Sequence, residues 1–379
     1  MQMKKEDKYK SQSRFSWVLD AIDDQLVQEK TGSEKPRHYL GASLIGEECE
    51  RKIWYDFRHA KEENWKAYNV KTIEEGYRSE DVMVGRFQRA EFDLKNVSYD
   101  QDKPRQFGFK SLGGWFRGHK DGIIYNFQEL GTAIWEAKAT EKWLELNKLI
   151  LDHGEENALK HWNTNYYTQA QIYMGESGVH HHLLTACNPG STRTAIVYTP
   201  FNEAFYKKEK EKAKRIIKTD EPPFKAYASE EHYKCKYMCN SVNTCWKNEP
   251  PKPNCRNCAH IEFDVENKDV ENPIAKCQKH NSVFPTLDAM TQSYACHRYN
   301  PFFFQDCELV ELKDNDLVYR NKETGVIFTN GESGFNSLQI YENRKTKPWL
   351  SKDINEIVDK FGASFIQEEV LNDSESETD

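Results

Sequence analysis

The chain has 379 residues, of which 37% are hydrophobic and 30% charged, and its formal net charge is -8. No apolar run approaches the roughly 20 residues that a membrane-spanning helix needs. No apolar core follows the basic N-terminus as it would in a secretory signal. The composition therefore excludes a transmembrane protein and predicts a cytoplasmic one. Six acids lie in the last twelve residues, so the remainder is near neutral and a nucleic-acid partner is not excluded.

Hydrophobic periodicity predicts a mixed α/β core over residues 35–228, after a polar leader at 1–34 that is loose or helical. Strands are predicted where short apolar runs lie between glycine turns, and helices where apolar residues recur every three or four positions. In chain order we expect helices over 38–60 and 73–94, strands over 106–127 and 132–139, helices over 140–154 and 162–177, a hairpin over 179–200 and a charged helix over 202–218.

Pro222 and Pro223 mark the end of this core. A cysteine-rich metal-binding module is predicted over 229–300, followed by a small β-meander with Asn-Gly and Thr-Gly turns over 301–345. Residues 346–379 predict a helix and then a disordered acidic tail.

Two predicted strands of the core carry charges where buried strands normally carry none. Asp121 lies in the first, and Glu136 and Lys138 lie in the next. Alternate residues of a strand share a face, so Glu136 and Lys138 point the same way, and pairing of the strands brings Asp121 to them. Two carboxylates with water make a site for Mg²⁺ or Mn²⁺. Such an ion activates water and stabilises charge on a phosphodiester, and a lysine can assist either role.

The same residues resemble the PD-(D/E)xK nuclease pattern in its RecB-like branch. Gly118, Asp121 and Gly122 are followed by Glu136-Ala137-Lys138, and Gln169 and Tyr173 stand four apart on one helix face. Glu80, with Asp81 as the alternative, matches the acid on the helix before the strands. The resemblance extends from Tyr39 to Ile217 and is greatest to phage-encoded exonucleases and to the CRISPR-associated and AddB-type iron–sulfur nucleases.

This resemblance implies a restriction-endonuclease-like core, with a central mixed sheet flanked by helices, and a DNA exonuclease that acts on linear DNA in phage replication or recombination. Glu80, Asp121 and Glu136 would hold the ion, with the Ala137 carbonyl as an extra ligand. Lys138 would assist the water, and Gln169 and Tyr173 would orient the lysine or a phosphate. The implied partners are DNA and a single-strand annealing or replication protein, in the host cytoplasm if the chain is phage-encoded.

Three other functions stay open at this point. One is an endonuclease or flap nuclease of the CRISPR-associated type. Another is a non-catalytic DNA-binding protein that keeps the nuclease fold, although a binding module has no use for buried charge. The third is a zinc-ribbon adaptor whose partner does the chemistry.

Ten cysteines in a chain with no recognisable secretory signal indicate metal binding rather than disulfides. Seven of them lie from Cys235 to Cys296. Cys255-x2-Cys258 is typical of a zinc knuckle, which Cys277 and Cys296 would close into a tetrahedral site. His280 or His297 could replace either later cysteine. Cys187 and Cys307 are expected to pack in the interior.

A second set of cysteines, Cys235-x3-Cys239-x5-Cys245, is compatible with zinc or with three free thiols. The iron–sulfur relatives have one cysteine before the nuclease core and three after it. The resemblance therefore implies a 4Fe-4S cluster held by Cys49 and this trio.

No segment has the pattern of a helix that reads base sequence. Contacts to phosphates, which position DNA without specifying its sequence, are expected from basic residues on two helices: Arg51, Lys52, Arg78, Arg86 and Arg89. Trp162, Tyr166 and Tyr167 are candidates to stack a frayed DNA end, with packing in the core as the alternative. A structure-selective enzyme is expected.

Overall fold

The computed structural model describes residues 13–33, 36–61, 65–100, 103–313 and 316–351. The helix and tail predicted at the C-terminus lie outside the described residues, apart from 346–351. The chain divides into two compact units, the first made of 1–57, 63–226 and 263–274, and the second of 58–62, 227–262 and 275–379. Within the described part of the chain, none of the helices is long and apolar enough to cross a membrane.

The first unit contains seven helices among its described residues. They are α1 (Trp17–Ser33), α2 (Glu50–Phe57), α3 (Ala67–Arg89), α4 (Trp143–His153), α5 (Glu155–Trp162), α6 (Thr164–Ser177) and α7 (Glu203–Lys218). Its strands are β1 (Leu40–Gly41), β2 (Asp93–Lys95), β3 (Val97–Asp100), β4 (Lys103–Gln106), β5 (Gly108–Ser111), β6 (Phe116–His119), β7 (Gly122–Phe127), β8 (Gly131–Ala139), β9 (His181–Cys187) and β10 (Thr194–Pro200).

A five-stranded mixed sheet with the order β10-β9-β8-β7-β2 forms the centre of the first unit. Strands β8 and β9 run parallel, and the other neighbours are antiparallel. Helices α3, α4, α5 and α6 all contact this sheet or the strands beside it. The predicted α/β fold, a central mixed sheet flanked by helices, is confirmed.

Trp135 of β8 anchors the packing of α3 on the sheet. It is fully buried with Met83 and Val84 of α3 and with neighbours on adjacent strands, and its indole N–H donates to Thr185 Oγ at 3.0 Å. Because side chains alternate along a strand, Glu136 points to the opposite face, where α6 lies. This alternation separates the apolar core from the charged residues of β8.

A smaller sheet, β1-β6-β5, precedes the central one in the chain. The chain leaves it at His119 and enters the central sheet at Gly122, so Lys120 and Asp121 form a two-residue link. We predicted Asp121 on a strand, and this was wrong: the residue directly precedes β7, because the chain changes sheets there.

The helices predicted over 38–60 and 73–94 have different bounds in the structure, since α2 begins at Glu50 after β1, and α3 ends at Arg89 before β2. Two further regions of the first unit were missed in the sequence. Helix α5 buries only Ala158 and Leu159, which is too few for a clear helical period. The β3–β4 hairpin includes the wholly exposed strand Lys103–Gln106, which has no apolar alternation.

The second unit has three described helices, α8 (Tyr233–Met238), α9 (Val242–Trp246) and α10 (Ser337–Glu342). The C-terminal part of the chain also forms two three-stranded sheets from β11 (Ile261–Asp264), β12 (Ile274–Cys277), β13 (Ser282–Val283), β14 (Cys307–Lys313), β15 (Asp316–Asn321) and β16 (Ile327–Asn330). Residues 263–274 interrupt the predicted module, since they group with the first unit, where Phe263 packs against Phe57 and Trp115 with ring centroids 4.9 Å apart in each pair.

The three consecutive histidines at the start of β9 occupy different environments. His180 is exposed and its ring stacks on Phe201, and His181 contacts the hydroxyl of Tyr198 at 2.9 Å. His182 is 1% exposed, and its Nδ1 is buried without a hydrogen-bond partner in the described structure. Burial, with a smaller effect of the Lys138 ammonium, lowers the pKa of His182 to about 3.

His182 should make the first unit sensitive to acid. The unfolded chain takes up a proton near pH 6.5, whereas folded His182 does not until about pH 3, so stability is lost as the pH falls through this interval. The slope contributed by this residue is up to about 1.4 kcal/mol per pH unit. We expect His182→Gln to reduce the slope of the free energy of unfolding against pH below about pH 6.5, measured by urea unfolding. His180→Gln, the matched exposed control, should leave this slope unchanged. Equal slopes for all three proteins would contradict this assignment.

Candidate active site

Asp121, Glu136 and Lys138 meet in one pocket of the first unit. The Lys138 Nζ lies 2.8 Å from Glu136 Oε1 and 3.8 Å from Asp121 Oδ2. The backbone N–H of Ala137 donates to Asp121 Oδ2 at 2.9 Å and so fixes this carboxylate against β8. The link between the two sheets and the alternation of β8 together produce this arrangement.

Gln169 and Tyr173 of α6 hold the carboxylate of Glu136 from the other side. The Gln169 side-chain amide donates to Glu136 Oε1 at 3.0 Å and to the Tyr173 hydroxyl at 2.9 Å. That hydroxyl donates in turn to the His119 carbonyl at 2.6 Å. Gln169 and Tyr173 therefore position Glu136 and tie α6 to β6, rather than contacting Lys138.

A glycine permits this close approach of α6 to β6. A Cβ atom at Gly118 would lie 2.5 Å from the Tyr173 ring and 2.7 Å from the Phe109 ring. Distances below 3 Å are not tolerated between such atoms, so any side chain at position 118 would displace Tyr173. This is the physical reason for glycine in the predicted motif.

Glu80, on α3, is the third acid of the cluster. It is partly buried, whereas Asp81 is exposed. Burial, followed by the negative charge of Asp121, raises the pKa of Glu80 to about 7. Of the two alternatives, the structure therefore brings Glu80 to the site.

The carboxyl of Glu136 lies in the most demanding environment of the cluster. It is 3% exposed, and burial, followed by the charge of Asp121, raises its pKa to about 8 although Lys138 opposes the shift. Burial alone would lower the pKa of Lys138, but the carboxylates of Glu136 and Asp121 outweigh it and raise that pKa. The Glu136 Oε2 atom is buried with no hydrogen-bond partner in the described structure.

Among the described residues, no three His, Cys, Asp or Glu side chains form a ready-made metal site. In the acid cluster, the Lys138 ammonium contacts two of the carboxylates. The donor set itself suits a hard divalent cation, because it consists of carboxylates and includes an oxygen without a partner in the described structure, and the charge of Asp121 raises the pKa of both Glu80 and Glu136. Mg²⁺ or Mn²⁺ therefore fits the chemistry of these residues.

Four cysteines of the second unit are also close to one another. Burial, followed by the charges of Cys258, Cys296 and Cys277, raises the pKa of the Cys255 thiol to about 12. The loop containing Cys258 runs beside the segment that follows Cys296, since the Ala259 N–H donates to the Arg298 carbonyl at 2.8 Å. Four thiols are the donor set of a structural zinc site.

The two histidine alternatives for this site differ in their surroundings. The His297 Nε2 lies 3.0 Å from Asn257 Oδ1, and its ring is buried. His280 is exposed in the turn after β12. The thiols that act on Cys255 are those of Cys258, Cys277 and Cys296, and the all-cysteine set stays a prediction.

The remaining cysteines are distributed over both units. Cys235 and Cys245 are buried on α8 and α9, with Cys239 at the end of α8. Cys49 directly precedes α2 in the first unit. The 4Fe-4S cluster of Cys49 with Cys235, Cys239 and Cys245 stays a prediction. Cys187 and Cys307 are both buried.

The basic residues expected to contact phosphates make contacts within the protein. Arg51 is buried and donates to the Pro223 carbonyl at 2.9 Å. The others with contacts in the structure are Lys52 with Asp56, Arg78 with Glu75 and Arg86 with the Ser191 carbonyl.

A different basic group was missed in the sequence. Lys110 of β5 stands directly opposite Arg117 of β6, and the Tyr39 ring has Arg37 and Arg117 within 5.3 and 5.4 Å of its centroid. Like charges directly opposite each other destabilise a sheet. Only strand register reveals this basic row. Burial, followed by the charges of Arg37, Arg117 and Lys110, lowers the pKa of His119, two residues before Asp121, and Lys110 also pairs with Glu271.

The buried ion pair can be tested without any assay of activity. In chelated protein above about pH 8, where Glu136 is ionised, Lys138→Met should lower the free energy of unfolding by roughly 3–5 kcal/mol, because it leaves the Glu136 carboxylate buried without a cation. Adding Glu136→Gln removes that charge and should restore most of the loss. The measurement is urea unfolding of the two single variants and the double variant. Additive effects would show that the two residues do not interact.

Searches of protein families and of curated proteins find no match to this chain. Among solved structures, an alkaline exonuclease from Laribacter hongkongensis is similar over 51% of this chain and 90% of that one, with 10% identity and a TM-score of 0.32. Its complex with dAMP gives 11% identity and the same TM-score. A phage-related exonuclease from Haemophilus somnus 129PT is similar over 46% and 78% of the two chains, with 16% identity and a TM-score of 0.29. At these TM-scores the likenesses carry no argument about activity.

Proposed function

We propose that this chain is a divalent-metal-dependent DNA nuclease of the PD-(D/E)xK type, with a restriction-endonuclease-like core. The observation that supports it is the buried Glu136 carboxylate, which shares a pocket with Asp121 and Lys138 and has one oxygen without a partner. An ordinary core has no use for such a group, because burying an ion pair carries a desolvation penalty that apolar side chains avoid. In a site that binds a cation and a phosphodiester, a buried carboxylate has a use as a ligand of the cation.

Each residue of the cluster has a role in this proposal. Glu80, Asp121 and Glu136 would hold Mg²⁺ or Mn²⁺, together with the Ala137 carbonyl, and the bound ion would activate water and stabilise charge on the phosphate. Gln169 binds Glu136 Oε1, which leaves Oε2 for the pocket. Lys138 would donate to the attacking water or to a phosphate oxygen.

Within this class, we propose an exonuclease that acts on linear DNA in phage replication or recombination, working with a single-strand annealing or replication protein. The row of Arg37, Lys110 and Arg117 would contact backbone phosphates, which positions DNA without reading its sequence. An endonuclease or flap nuclease and a non-catalytic DNA-binding protein are the alternatives that the cleavage experiment distinguishes.

We also propose that Cys255, Cys258, Cys277 and Cys296 hold a structural Zn²⁺. Their mutual proximity supports this proposal. Cys49, Cys235, Cys239 and Cys245 are proposed as ligands of a 4Fe-4S cluster on the basis of the resemblance alone.

Cleavage of linear double-stranded DNA, labelled separately at each 5′ and 3′ end, tests the proposed activity. With Mg²⁺ or Mn²⁺, the wild-type protein should degrade the linear substrate, and Lys138→Ala should reduce the rate by about 10²-fold or more, as loss of a transition-state donor does. The label released first gives the polarity. Lys148→Ala, which removes an exposed lysine on α4, should leave the rate unchanged.

A closed circular substrate completes this experiment. Nicking of the circle would favour the endonuclease. Failure to cut any substrate with either metal, in folded protein, would contradict the nuclease proposal and favour the DNA-binding protein.

Elemental analysis of anaerobically purified protein tests the cysteine sites separately. We expect about one zinc per chain, lost in Cys258→Ser, and a brown iron chromophore that is lost in Cys49→Ala but kept in Cys258→Ser. Colourless, zinc-loaded protein would contradict the iron–sulfur cluster. Zinc content unaffected by Cys258→Ser would contradict the four-cysteine zinc site.

A further inference from the structure

Two aromatic rings lie at the edge of the acid cluster. The Tyr166 ring centroid is 5.4 Å from the Lys138 Nζ, and the Trp162 ring follows at 5.6 Å from Tyr166, inclined by 52°. Both side chains are partly exposed. Aromatic rings therefore form one border of the pocket that contains Asp121, Glu136 and Lys138.

The local backbone holds these rings in place. Asn163 lies between α5 and α6, and its side chain accepts hydrogen bonds from the backbone N–H groups of Asn165 and Tyr166, at 2.9 and 3.2 Å. The Trp162 indole N–H donates to the Lys142 carbonyl at 3.2 Å. Both rings are thus oriented before any ligand arrives, which reduces the entropy lost on binding.

The neighbouring Tyr167 shows what a core aromatic looks like in the same helix. It is 6% exposed, and it packs edge-on against Phe205 with centroids 5.0 Å apart. Tyr166 instead contacts Trp162 and the Lys138 ammonium, and both rings stay partly exposed. Core packing accounts for Tyr167 but not for this partly exposed pair.

We propose that Trp162 and Tyr166 form a stacking platform for the nucleobase of an unpaired nucleotide at the DNA end, a proposal that rests on the proposed nuclease function. Every base has an aromatic face, so stacking tolerates any sequence. A base inside a duplex has both faces covered by its neighbours. The platform therefore selects single strands and frayed ends, and delivers the adjoining phosphate to Lys138.

Single-stranded oligonucleotides with one abasic residue, moved through the first several positions from each end, test this proposal. Binding is measured by fluorescence anisotropy in chelator, so that no strand is cut. At one position, the wild-type protein should bind the intact strand about 5- to 150-fold more tightly than the abasic one. Tyr166→Leu should bring this ratio close to one, whereas Tyr166→Phe, which keeps the ring, should retain it. Tyr68→Leu, at a tyrosine that is 77% exposed on α3, is the matched control.

The outcomes separate this proposal from the nuclease function. Cleavage of DNA without any abasic effect in the wild-type protein would overturn the platform and leave the nuclease. A base-dependent ratio that Tyr166→Leu abolishes, in a protein that cuts no DNA, would support the platform and overturn the nuclease. A ratio that survives Tyr166→Leu, or absence of DNA binding, would overturn the platform.

Discussion

The burial of one carboxylate, that of Glu136 on β8, is the constraint on which the rest of this site depends. A charge placed there destabilises the fold unless cations and hydrogen-bond donors surround it. Lys138 and Gln169 supply these contacts at 2.8 and 3.0 Å. Gln169 is held in turn by the Tyr173 hydroxyl, and Gly118 leaves room for the tyrosine ring. The predicted motif residues thus support one buried carboxylate, some by direct contact and others by holding the residues that contact it.

Strand β8 provides this environment because one of its faces is apolar and the other carries the charged residues. Trp135 and its neighbours attach α3 to the sheet through an apolar cluster, while Glu136 and Lys138 face α6. A shift of register by one residue would bury the charges in the apolar cluster and expose the tryptophan. The hydrophobic energy of the Trp135 face therefore fixes the position of the catalytic candidates on the other face.

Local patterns in the sequence were enough to predict most elements and the common face of Glu136 and Lys138. The four-residue spacing of Gln169 and Tyr173 likewise predicted their shared helix face. The position of Asp121 in a link between two sheets could not be predicted, because it depends on where the chain leaves one sheet and enters the other. The opposition of Lys110 and Arg117 depends on strand register, and α5 has too few buried residues to give a period. Local sequence patterns do not show which distant strands pair or in which register, so features that depend on this pairing were not predicted.

The stability of the resting protein and its proposed chemistry need the same lysine. The ammonium of Lys138 contacts both Glu136 and Asp121 and offsets part of their negative charge. Under the proposed function, a divalent ion held by the acids would take over this role, and the Lys138 ammonium would then be able to donate to water or to a phosphate oxygen. The Tyr166 ring lies beside the ammonium and stabilises its charge through the face of the ring. A residue that stabilises the fold is in this way also placed for the proposed chemistry.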